Sequence, residues 1–255
     1  TPCFSHCIDY LLGDAVNQES SEKSIVDIIK KDSELLAYLK TDEIKLTDLE
    51  VLNNYHILEN KSPKLCTDRL DGVLHTCYIW LQTHSLRAIK EVYDNIEVLE
   101  NEDGIFEIGF QNIEIANKFV DMVFNYATEL QKNTDKYVMK YISEVIKIAV
   151  ARNLISHEDL YTLKESEICK IIRTNFLSWN IFENATILVN TNELPKDNFF
   201  VSFETKKRNV IPLVKVKTKI SRINEVSEYA SNIYQSFISF KDRKYAYIEE
   251  IREIN

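Results

Sequence analysis

Between Ile113 and Asn153 the apolar residues return every three to four positions over forty residues, which most strongly limits what this chain can fold into. Ile115, Phe119, Val123 and Tyr126 form one stripe, and Val138, Ile142, Val145, Ile146 and Ala149 form another. That is the period of a helix buried along one side. Asn133-Thr134 predicts a break that divides the run into two helices. The sequence has four Gly and four Pro in 255 residues, so little else interrupts helices. The expected fold class is mainly α.

Shorter helices are expected on either side. The turn at the start leads into Cys7-Ile-Asp-Tyr-Leu-Leu, ended by Gly13. Ser20 or Ser21 is expected to cap a helix that buries Ile25, Ile28 and Ile29. Leu35 to Leu39 continues as a short helix, and Thr47 caps one with Leu49, Leu52 and Tyr55 inward. Helices are further expected over Leu86–Glu97, after a Ser156 cap, and over Lys164–Asn175. Asn101-Glu-Asp-Gly104 is a turn signal, followed by a short strand at Ile105–Phe110. Around Asn184 the pattern changes. Thr186–Val189, Phe199–Phe203 and Val210–Val216 are β-branched and aromatic runs of strand length, and Pro212 places the third at an edge or a bulge. A last helix is expected from Ile223 to Phe240. The expected organisation is a helical domain over 1–183 and a small α+β subdomain over 184–255.

Ser62-Pro-Lys-Leu-Cys-Thr-Asp68-Arg69-Leu-Asp71-Gly72-Val-Leu-His75 is the stretch that points to chemistry. Pro63 ends what precedes it, and Thr67 or Asp68 can cap a helix running to about His84. On that helix Leu70, Val73, Leu74, Cys77 and Leu81 share the apolar side. Asp68, Asp71, Gly72 and His75 share the other, which reads equally as a solvated face.

That stretch and the opening Thr1-Pro-Cys-Phe-Ser-His6 together resemble the HD-domain metal-dependent phosphohydrolases, the dNTP triphosphohydrolase-like branch in particular. There the text around the namesake His-Asp dyad runs roughly HDxGTPPFSH, and a later helix carries a pattern close to ADRLDY. Asn153–Leu163 and Lys206–Leu213 are similar to two further segments of that family. The resemblance implies an HD-like helical bundle, with a divalent metal (Mg, Mn, Fe, Ni or Zn) held by upstream histidines and aspartate and by Asp68. It implies that His6 donates a proton or hydrogen bond to the leaving oxygen, and that Arg69, Gly72 and His75 border a nucleotide or related phosphate ester. Asp68 and His6 would then face one polar hollow. The chain opens just after the dyad, so either the dyad lies upstream or the site lacks it. Gly72 stands where relatives carry Tyr, and no counterpart exists for a further catalytic histidine of some triphosphohydrolases. The alternative is a catalytically inactive HD-like module that binds a nucleotide or a protein partner. Relatives commonly pair, so a homo-oligomer is an expected partner state.

The formal net charge is −9 with a pI near 5.2, which argues against a broad cationic surface for nucleic acid. The basic cluster Lys206, Lys207, Arg208, Lys215, Lys217 and Lys219 reads as a solvated strand edge or a polyanion contact. Five cysteines form no CxxC pair, and Cys3 and Cys7 alone are too few to hold zinc. Unpaired cysteines without a signal peptide point to a reducing cytoplasm. No apolar run reaches the roughly 20 residues of a membrane span.

Overall fold

The computed structural model describes residues 3–14, 16, 25–49 and 55–255. It is mainly α, with about 52% helix and 11% strand. In chain order the helices are α1 (Ser5–Leu11), α2 (Ile25–Lys31), α3 (Ser33–Thr41), α4 (Leu46–Leu49), α5 (Thr67–His75), α6 (Leu86–Tyr93), α7 (Ile113–Glu129), α8 (Asn133–Ala151), α9 (Asp159–Thr162), α10 (Glu165–Asn175), α11 (Leu177–Asn184), α12 (Ile223–Val226) and α13 (Glu228–Ser239). The strands are β1 (Ile96–Glu100), β2 (Phe106–Phe110), β3 (Val189–Thr191), β4 (Phe200–Val201), β5 (Leu213–Val216), β6 (Lys219–Arg222) and β7 (Tyr245–Tyr247).

Two compact units share the chain. The first comprises residues 1–46, 131–206 and 241–255, and the second comprises 47–130 and 207–240. The expected boundary at 183/184 falls inside the first unit. The strands after residue 184 divide between two sheets rather than forming one subdomain.

In the first unit, α8 is the central helix. Its Ile142, Val145, Ile146 and Ala149 are buried, as the spacing predicts, while Val138 is half-buried and Tyr137 and Tyr141, outside the predicted stripe, are buried beside them. Tyr141 stacks on Phe182 with ring centroids 4.4 Å apart, and its hydroxyl hydrogen-bonds Ser178 Oγ at 2.9 Å. Helix α1 packs on α8 through Cys7 and Ile8. It ends as expected at Gly13 (φ 81°), where Asp14 N–H reaches the Asp9 carbonyl and Gly13 N–H the Tyr10 carbonyl. A residue with positive φ closes a helix in this way, and glycine adopts it at least cost. Strands β3, β7 and β4 form a three-stranded antiparallel sheet in that order.

In the second unit, the sheet order is β1-β2-β5-β6, with antiparallel, parallel and antiparallel pairings. The core gathers Phe110 and Val214 from the sheet with Phe119, Val123 and Phe124 of α7 and Ala230 and Phe237 of α13. Phe110 lies 5.1 Å from Phe119, centroid to centroid, and Phe124 lies 5.2 Å from Phe237.

Several expectations change here. The helix expected over Leu86–Glu97 stops at Tyr93, because Ile96 to Glu100 pairs residue for residue with Phe110 to Phe106 across the 101–104 turn. Strand β5 is interior, and Pro212 falls just outside its first residue, where a missing N–H removes no ladder bond. The last helix breaks at Ser227, whose extended backbone and side chain cap α13 at Ala230 N–H. The expected caps Ser20 and Ser21, and Leu52, lie outside the described residues. In α2, Ile28 and Ile29 are half-buried, and α3 buries none of its residues.

Candidate functional site

The candidate site is built on α5, in the second unit. Leu70, Val73 and Leu74 are buried, and Cys77 just beyond is fully so, which confirms the apolar stripe. Asp68, Asp71, Gly72 and His75 are exposed together on the opposite side. Beyond its chain neighbours and the backbone of its own helix, no heavy atom of the described residues lies within 4 Å of where a Gly72 Cβ would be. The helix is shorter than the spacing predicts. After His75 it loosens into a π-helical turn over Thr76–Trp80, where Leu81 N–H reaches Thr76 C=O. This turn leaves Tyr78, Ile79 and Trp80 exposed.

The capping residue also differs from expectation. Cys66, extended at φ −131°, occupies the cap position without a side-chain capping bond. Thr67 instead donates its hydroxyl to the Ile57 carbonyl at 2.9 Å. The backbone N–H groups of Thr67 and Asp68 donate to Ile57 and Leu58 carbonyls. These first-turn donors are therefore engaged by the preceding loop.

Arg69 turns back over that loop. One terminal nitrogen donates to Lys64 O at 3.1 Å and to Cys66 Sγ at 3.3 Å, and the other donates to Glu59 Oε1 at 3.3 Å. Burial raises the Cys66 thiol above its ordinary range despite the adjacent guanidinium.

A buried polar network fixes the same loop from behind. Glu107 on β2 is fully buried. It accepts from Leu65 N–H at 3.3 Å, from Asn101 Nδ2 at 3.0 Å and from both terminal nitrogens of Arg222 on β6. Arg222 also holds Glu102 and donates to the Ile211 carbonyl at 3.0 Å. Desolvation pushes the Glu102 carboxyl up, but the Arg222 hydrogen bonds, a backbone hydrogen bond and the Arg222 charge together hold it below its ordinary range. Lys64 pairs with Asp103 at 2.6 Å, and Ile211 N–H reaches Pro63 O at 2.8 Å. The 59–66 loop is thus bound to the β1–β2 turn and to the entry of β5. Sequence reasoning missed Glu59, Glu107 and Arg222. Alternation sets Glu107 opposite Phe106, Ile108 and Phe110, as an outward charge, and only the structure shows it buried, where a charge needs a partner.

His6 stands on α1, in the first unit, and is exposed. Phe4 just before it has φ 55°, a left-handed conformation unusual for an aromatic residue. Asp68, Arg69, Gly72 and His75 therefore share one helix, while His6 belongs to the other unit.

A divalent ion with oxygen ligands takes about six of them, and Asp68 supplies one carboxylate. Among the described residues no group of three or more His, Cys, Asp or Glu side chains is placed to hold a metal ion. The donors among the described residues do not by themselves complete the implied metal site. In the basic cluster, Lys207 donates to the carbonyls of Phe237 and Phe240 at the end of α13, and Lys215 pairs with Glu97 at 2.8 Å. Among the described residues no helix is long and apolar enough to cross a membrane. Compared with protein-family models, with curated protein sequences and with solved structures, the chain matches none.

Proposed function

We propose that this chain is part of a metal-dependent phosphohydrolase of the HD superfamily, acting in the cytoplasm on a nucleotide or related phosphate ester. The observation that carries the reading is the pairing of TPCFSH with CTDRLDG, in that order, on two separate elements. The geometry of α5 supports it. Burial of Leu70, Val73 and Leu74 leaves Asp68, Gly72 and His75 exposed together, with Arg69 beside them. In this reading Asp68 is the metal ligand contributed by α5, and a His-Asp dyad like that of the family would complete the site. Arg69 binds phosphate oxygens, for which a guanidinium offers paired donors. Gly72 and His75 border the substrate. His6 assists the leaving oxygen. The fold of the reading is an HD-like bundle, and two copies pair as relatives do.

Elemental analysis of the purified full-length product, read with phosphate release from a panel of nucleotides, tests the proposal. One bound divalent metal per chain and turnover lost in Asp68→Ala are expected. Full turnover in Asp68→Ala would overturn the assignment of that ligand.

A second reading rests on there being no group of three or more His, Cys, Asp or Glu side chains placed to hold a metal among the described residues. In it the chain is a catalytically inactive HD-like module that binds a nucleotide or a protein partner. Thermal stabilisation by nucleotides without metal or turnover would favour it.

A further inference from the structure

We infer that Glu59 is an internal competitor for the phosphate subsite on Arg69, a carboxylate that occupies the guanidinium until a phosphate displaces it. The inference rests on the reading of Arg69 given above and adds its regulation. The Arg69–Glu59 contact is a single 3.3 Å approach. Paired guanidinium–carboxylate contacts close at about 2.7–2.9 Å and commonly use two bonds. Glu59 Oε1 divides its attention, since it also accepts Asn60 N–H at 2.9 Å. Both side chains are partly exposed, at 26% for Arg69 and 34% for Glu59, so an ion in solution can reach them.

The rest of the guanidinium is anchored independently. Its other terminal nitrogen is held by Lys64 O and Cys66 Sγ, so losing Glu59 leaves the side chain in place. A guanidinium has five N–H donors, and these three contacts leave the Nε–H and one N–H beside Glu59 without a protein acceptor among the described residues. The neighbouring backbone offers no competing anion site, because Thr67 and Asp68 N–H are engaged by Ile57 and Leu58 carbonyls. Of the loop's two lysines, Lys64 is paired with Asp103 and Lys61 is exposed, so the Arg69→Gln variant is what separates the guanidinium's share of binding from that of Lys61. A phosphate arriving here takes the edge of Arg69 that Glu59 now covers. Glu59 thereby sets a threshold: it rejects weakly charged ligands, which cannot displace it, and admits strongly charged ones.

The test is titration of the full chain with inorganic pyrophosphate at low ionic strength, by calorimetry, for wild type, Glu59→Gln, Arg69→Gln and the double variant. Glu59→Gln is expected to bind about threefold to fivefold more tightly, the worth of one partly exposed ion pair. The gain should shrink as salt rises toward 0.5 M and vanish in the Arg69→Gln background. A gain in affinity is not what damage to the fold would produce, and circular dichroism of each variant checks the fold directly. If Arg69→Gln weakens binding while Glu59→Gln leaves it unchanged or weaker, the competitor role is overturned and the phosphate role of Arg69 stands. Binding indifferent to Arg69→Gln, or no binding by wild type and Glu59→Gln, overturns both.

Discussion

Two glycines separate what a residue does for the fold from what it leaves open for a ligand. At Gly109 an added Cβ would lie 2.6 Å from Leu99 Cδ1, 2.7 Å from Leu213 O and 2.9 Å from Leu213 Cβ. The partner backbone cannot give way without breaking the β2–β5 pairing. Gly109→Ala is therefore expected to destabilise by about 2–3 kcal/mol, as overpacked sites do, seen as a lower urea midpoint. At Gly72 the same substitution meets nothing beyond its own helix and lies on the exposed side of α5. Gly72→Ala is expected to stabilise by about 1 kcal/mol in the same measurement. Should it also abolish nucleotide binding, close backbone approach by the ligand would explain the glycine. A third residue carries a pH dependence. Burial raises Asp135, at the start of α8, to about 6. The unfolded carboxyl titrates near 3.9, so the folded state favours the protonated form. Its contribution to stability is complete below about pH 4 and is lost as pH rises through 6. Denaturant titrations of Asp135→Asn should thus show a gain over wild type at pH 7.5, up to about 3 kcal/mol, that disappears at pH 4.

Among elements, α5 has a definite position because of the loop that delivers it. Its own buried stripe fixes which side faces the core, but not where its N-terminal end lies. That is set by Leu65 N–H on Glu107, by Ile211 N–H on Pro63 O and by Arg69 on Lys64 O. Glu107 is the centre of this arrangement, with four donors converging on a fully buried carboxylate. Glu107→Leu would leave Arg222 held only by Glu102 and the Ile211 carbonyl, and breaking a buried pair costs about 3–5 kcal/mol. A loss of that size is expected in chemical denaturation, together with faster amide exchange at Leu65.

For the whole molecule, the decisive fact is that the two units interleave along the chain. The first needs Val201, Ala246, Ile248 and Ile251 for its core, and the second needs Val210, Ile211, Val214 and Phe237. All eight follow residue 183. A protein of residues 1–183 alone should therefore fail to fold cooperatively, judged by loss of a sharp thermal transition in circular dichroism. A sharp, reversible transition in that fragment would show that residues 1–183 form a self-sufficient domain, as the periodicity alone suggests.

The sequence by itself determined what depends on neighbours along the chain. The stripes of α5, α7 and α8, the break near Asn133, the Gly13 helix end and the strand at Phe106–Phe110 all follow from period and turn chemistry. These act within a few residues, so they are legible without a fold. Only the tertiary structure decided what depends on distant partners. Ile96–Glu100 became a strand because Phe106–Phe110 was there to pair with it, against a helical continuation. Leu213–Val216 became interior because β2 and β6 flank it. On the candidate site, the sequence indicated the exposed face of α5 but not the hold of Glu59 on Arg69 or of Glu107 and Arg222 on the entry loop. A hydrogen bond across 115 positions leaves no periodic trace in the sequence, because its geometry is set by packing rather than by spacing.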